Sequence, residues 1–106
     1  MASGLHTVSI GEARRFSLRG VERRDLVAEE DLRVELICFE AGQRDAPSEH
    51  PGSSVYQVLE GEALIHAGSE SERLGKGKLL VVPGGRPHSL ENAGGGLLVV
   101  MATRPR

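Results

Sequence analysis

The chain of 106 residues has no tryptophan, one tyrosine and two phenylalanines. Its core must therefore be assembled from Val, Leu, Ile and Ala, and aromatic platforms for stacking nucleic-acid bases are almost absent. A single cysteine, Cys38, excludes an intrachain disulfide and any cysteine-based zinc motif. Its setting, "LRVELICFE", suits a small buried apolar residue better than a reactive thiol. The longest apolar run, "LLVVMA" at 97–102, is six residues, too short to span a bilayer. The start, "MASGLHTVSI", lacks the basic segment and apolar stretch of a signal peptide, so the expected location is the cytoplasm. A net charge of −2 gives no global pull toward nucleic acid or anionic lipid.

What the chain does have is punctuation. Fourteen glycines and five prolines suit short strands joined by tight turns. The length fits one domain, 1–106. Strand-like segments are expected at 7–10, 14–20, 21–28, 32–40, 55–60, 63–67, 72–74, 78–83, 88–92 and 97–103. "RPR" would fray at the end. In 32–40, Leu32, Val34, Leu36 and Cys38 alternate on one face, and Ile37 and Phe39 make the far end apolar on both. "VYQVLEGEALIHA" reads as a hairpin with Gly61 at a position that tolerates positive φ. "KLLVVP" reads as a strand buried on both faces. No stretch of a dozen residues carries 3.6-residue periodicity, so the class is all-β, a barrel or sandwich.

Several constellations are weaker than they look. Ser53, Ser54, His50 and Glu49 lack the Gly-x-Ser-x-Gly elbow of a hydrolase. Arg14, Arg15, Arg19, Arg23 and Arg24 are interleaved with Glu12, Glu22 and Asp25, which favours a salt-bridged strand face, at a subunit contact or elsewhere, over a nucleic-acid surface. "GKGK" at 75–78 lacks phosphate-loop spacing and reads as a turn.

One segment is more specific. "GKLLVVPGGRPHSLEN" places Gly77, Pro83, Gly85, His88 and Asn92 with five, one, two and three residues between them. This resembles the second conserved motif of the cupins at all five fixed positions. The first cupin motif would place its glycines at Gly42 and Gly61, its histidines at 48 and 50 and its glutamate at 54. Here those three positions hold Ser48, His50 and Ser54. The resemblance covers about residues 32–103 and implies a cupin jelly-roll (double-stranded β-helix) barrel of two short antiparallel sheets. It also implies a homodimer, with N-terminal strands near 7–28 covering an edge or at the contact.

In the family a divalent metal is held by the histidines and glutamate of the first motif and the histidine of the second. Only His50 and His88 correspond here, and catalytic metals usually have at least three protein ligands. Two imidazoles would hold a transition metal (Zn, Ni, Fe, Mn or Cu) weakly. His66 or Gln57 would supplement them only if the register turned either inward. Restoring Ser48→His and Ser54→Glu is expected to create tight metal binding. The leading expectation is a small-molecule-binding cupin with a depleted metal site. Ser48, His50, Ser54 and His88 would contact the ligand, Tyr56 would line the pocket, and Arg86 would meet an anion at the mouth. A metal-dependent dioxygenase or isomerase using His50 and His88 is the second reading. A ligand-free structural or regulatory dimer is the third.

Overall fold

The computed structural model of the protein describes residues 4–106. One helical turn, α1 (Ile10–Ala13), precedes eight strands among the described residues: β1 (Glu22–Ala28), β2 (Leu32–Phe39), β3 (Ser54–Glu60), β4 (Ala63–Ala67), β5 (Glu70–Leu74), β6 (Leu79–Val82), β7 (Ser89–Asn92) and β8 (Leu98–Pro105). The strands pair antiparallel in a five-stranded sheet, β1-β2-β8-β3-β6, and a three-stranded sheet, β5-β4-β7. The expected all-β jelly roll is what forms.

Strand alternation builds the interior from both sheets. Ile37 and Phe39 of β2, Tyr56 and Val58 of β3, and Leu98, Val100 and Ala102 of β8 face Ala63, Ile65, Leu74 and Leu90 from the smaller sheet. Each large apolar side chain so buried contributes on the order of 1.5–3 kcal/mol. The other face of β2 carries Leu36 and Cys38. It is covered, with Val99, by Ala13, Phe16, Leu26 and Leu59. Burial pushes the Cys38 thiol pKa up, so it stays a neutral packing group.

Four local expectations change. Residues 7–10 and 14–20 form no strand: Ser9 caps the helical turn by accepting from the Glu12 N–H at 3.3 Å. β3 and β4 are not a hairpin. β3 pairs with β6 and β8 while β4 pairs with β5 and β7, so Gly61 carries the chain from one sheet to the other. Its φ of +86° was foreseeable, but not the Leu97 carbonyl oxygen 2.4 Å from where a Cβ would sit. β6 is an edge strand, with Leu79 and Val81 65% and 59% exposed, because its apolar run has a covering layer on one side only. β8 runs through the chain end as far as Pro105, and Arg104 is buried at 6% exposure.

The N-terminal arginines do form ion pairs. Arg14 pairs with Glu60 at 2.5 Å, and Arg33 of β2 pairs with Asp25 at 2.9 Å. Arg23, however, reaches Glu35 of β2 and Asp45 in the loop beyond it.

Candidate functional site at the barrel mouth

The connection from β2 to β3 does not wander. It runs back antiparallel along β7 and the residues before it. Asn92 N–H donates to the Gln43 carbonyl (2.9 Å), Asp45 N–H to Leu90 (3.0 Å), and Gly85 N–H to His50 (2.7 Å). The Asp45 carboxylate accepts the Leu90 N–H at 2.7 Å. Burial raises the Asp45 pKa, against the lowering effect of that N–H and of Arg23.

The glycine corner has a clear reason. A Cβ on Gly84 would lie 2.2 Å from the Pro51 carbonyl oxygen, and Gly85 sits at φ +77°, where L side chains are strained. The two glycines let the turn before His88 lie directly against the backbone after His50. Asn92 fastens the opposite end of β7, its side-chain N–H groups donating to the carbonyls of Glu40 (3.0 Å) and Gly96 (2.8 Å).

The result brings Ser48, His50, Ser54, Tyr56 and His88 together. Ser48 bridges directly to His88. The imidazole centroids of His50 and His88 are 6.1 Å apart at 61°, and the Tyr56 ring is 5.5 Å from His88. Ser54, Tyr56 and His88 are buried beneath the half-buried Ser48 and His50.

His88 is held at both ring nitrogens. Nδ1 lies 2.8 Å from the Arg86 carbonyl oxygen, which can only accept, so Nδ1 carries the proton. Nε2 then accepts the Tyr56 hydroxyl at 2.5 Å. Burial raises the Tyr56 pKa, although Arg104 and Ser54 beside it pull the other way. Burial lowers the His50 pKa, helped by the positive charge of Arg104 and by the neighbouring His88. His50 is therefore neutral near pH 7.

Sequence reasoning missed the charged half of the site. Arg104 Nε donates to Ser54 Oγ at 3.3 Å, and Arg104 Nη1 to Glu35 at 3.4 Å. Glu35 in turn accepts from Arg23 at 2.7 Å. Every buried side-chain nitrogen and oxygen among the described residues has a hydrogen-bond partner. The signal was parity: Arg104 continues the inward series Leu98, Val100, Ala102, and Glu35 precedes Ile37 and Phe39 on theirs.

Arg86 does not join this group through its charge. Its guanidinium bonds Glu70 (2.6 Å) and the Ala67 carbonyl (3.0 Å), along a groove of about 380 Å³ between β5 and β6. His66 turns away from the interior to Ser71 and Glu91, and Gln57 lies on the β3 face opposite Tyr56.

The Cupin domain profile matches residues 35–103. The chain belongs to the cupin family. Over 69 residues it is 41% identical to a gentisate 1,2-dioxygenase of a Streptomyces species, a match that covers 65% of this cupin and 18% of that enzyme. It is 30% identical over 77 residues to the uncharacterized protein SCO3923 of Streptomyces coelicolor, with 73% of each chain covered. Among solved structures, TT1209 of Thermus thermophilus superposes with a TM-score of 0.86 at 25% identity, covering 96% of this cupin and 99% of that chain.

The residues present do not fit the family's divalent metal. Two first-motif ligands are serines, the His88 nitrogen left free by the backbone is already bonded to a phenol, and a guanidinium occupies the carboxylate ligand's side. Among the described residues no three His, Cys, Asp or Glu side chains gather as a metal set.

Proposed function

We propose that this cupin binds a small polar molecule at the barrel mouth without a resident metal. Ser48 and His50 would make the first contacts, with Ser54, Tyr56 and His88 forming the polar floor. The observation that carries this reading is the Tyr56–His88 hydrogen bond, which replaces coordination at His88 Nε2. A neutral His50 offers one donor and one acceptor, and the serines offer hydroxyls, a set suited to the hydroxyl and carbonyl groups of a ligand. Arg86, paired with Glu70, lies outside this reading. Two copies would pair through residues near 7–28, where Leu18 is 87% exposed. No helix among the described residues is long and apolar enough to cross a membrane. A cytoplasmic location belongs to the same proposal.

The test is elemental analysis of protein purified without chelator, together with melting curves against small sugars, hydroxy acids and phenols. Metal should be far below one ion per chain. At least one compound should raise Tm in the natural chain but not in His50→Ala. The 41% identity to a dioxygenase segment favours a second reading, a metal-dependent enzyme using His50 and His88. Near-stoichiometric metal, lost in His50→Ala and His88→Ala, would establish that one instead.

A further inference from the structure

We infer that Arg104 is a built-in cation standing where the cupin metal would, and that it keeps divalent ions out of this barrel. Missing ligands alone would leave a weak site; Arg104 makes it a hostile one. The inference does not depend on whether the barrel mouth takes a small molecule.

Three observations support it. Arg104 points inward from β8 and is 6% exposed, so its charge lies inside the barrel, poorly screened by solvent. A guanidinium does not lose its proton at any accessible pH, so the charge is permanent. Its Nε sits 3.3 Å from Ser54 Oγ, at the position where the family pattern carries a carboxylate ligand.

The nearest carboxylate only partly offsets this charge. Glu35 is 2.7 Å from Arg23 but 3.4 Å from Arg104, so its closer partner is Arg23. A divalent ion carries two positive charges, so the guanidinium repels it about twice as strongly as it would a single charge at the same place. A glutamate introduced at 54 would meet the guanidinium at hydrogen-bond distance and be drawn into an ion pair. This changes the expectation for Ser48→His with Ser54→Glu: with Arg104 in place, the two ligands do not recover a metal site.

The experiment is calorimetric titration of Zn²⁺ into the full chain. Tyr56→Phe serves as the background because it frees His88 Nε2. Adding Arg104→Met should tighten zinc binding about tenfold or more. Adding Arg104→Lys, which keeps the charge, should not. Equal affinities for the Met and Lys variants would overturn the inference, because shape rather than charge would then decide. A second arm leaves Arg104 untouched and so does not rely on its variants folding. Ser48→His/Ser54→Glu/Tyr56→Phe should stay within about threefold of Tyr56→Phe alone. Tight zinc binding by that variant, with Arg104 present, would also overturn it. Melting curves confirm that each compared variant is folded.

Discussion

Ser48 and His88 face each other across an antiparallel bridge, each backbone N–H donating to the other's carbonyl at 2.9 Å. This exchange sets the barrel mouth. It ties the loop that brings His50 to the strand that brings His88, so the two imidazoles converge through backbone geometry, with no ion required to gather them. The Gly85–His50 bond at 2.7 Å repeats the tie two residues further along the loop.

Gly84 is where that tie is most exposed to mutation. An added methyl would fall 2.2 Å from the Pro51 carbonyl oxygen, a backbone atom that cannot swing aside. Gly84→Ala should cost on the order of 2–3 kcal/mol, as overpacking does. Gly85→Ala meets nothing within 4 Å and should cost about 1–2 kcal/mol through its positive φ alone. Urea unfolding of the two variants checks the order. If Gly84→Ala is the milder change, the close approach is not what fixes the turn.

The Tyr56–His88 bond makes a spectroscopic prediction. With Nδ1 donating to the Arg86 carbonyl and Nε2 accepting from Tyr56, His88 should be a single Nδ1–H tautomer. Nitrogen chemical shifts from long-range ¹H–¹⁵N spectra at pH 7.5 distinguish the two tautomers. Tyr56→Phe removes the donor and leaves a buried acceptor unpaired, a loss of about 1–3 kcal/mol. A His88 spectrum with the proton on Nε2 would contradict the geometry.

Why was so much of this fold legible in the sequence, and the charged half of the site not? The spacing from Gly77 to Asn92 is a backbone specification: a glycine for close approach beside one for positive φ, a proline where pairing stops, an asparagine that collects carbonyls. Such constraints are local, so one chain displays them. The β3–β4 connection misled because a positive-φ glycine between two strands marks a sharp turn without saying whether the strands then pair. "LLVV" at 79–82 misled because an apolar run does not show which of its faces is covered. Arg104 was hidden by its neighbours, since "RPR" at a chain end carries every mark of a solvated tail. Only the register Arg33–Arg104 across β2 and β8 draws it inside, and register is a long-range property.

The buried charges should behave unlike the surface ones. Glu35 is 5% exposed and accepts from both Arg23 and Arg104. Glu35→Ala leaves the Arg104 guanidinium buried without a carboxylate and should cost about 3 kcal/mol or more. Asp25→Ala breaks the pair with Arg33, where both side chains are more than 40% exposed, and should cost less than about 1 kcal/mol. Thermal or urea melts of the two variants supply the comparison. Similar small losses would mean that the interior ion pairs are not what balances Arg104.

The last prediction concerns pH. Burial chiefly, then the positive charge of Arg104 and the neighbouring His88, lower the His50 pKa from its ordinary 6.5, against a weaker opposing pull from Glu35. In the unfolded chain His50 takes up a proton as pH falls through about 6.5. In the folded chain it resists until the pH is lower. Below about 6.5 the unfolded state therefore binds more protons, and acid favours unfolding. The stability tied to a neutral His50 is fully present above about pH 6.5 and is lost as pH falls through the lower folded value. Asp45 works the other way. Its pKa is raised above 3.8, chiefly by burial, so its contribution is greatest below that value and fades as pH rises through the folded pKa. Between pH 7.5 and 5.5 the natural chain should lose more stability than His50→Gln, which has no proton to gain at that site. Urea midpoints at the two pH values measure it directly. Equal losses in the two chains would show that His50 is not held neutral by its surroundings.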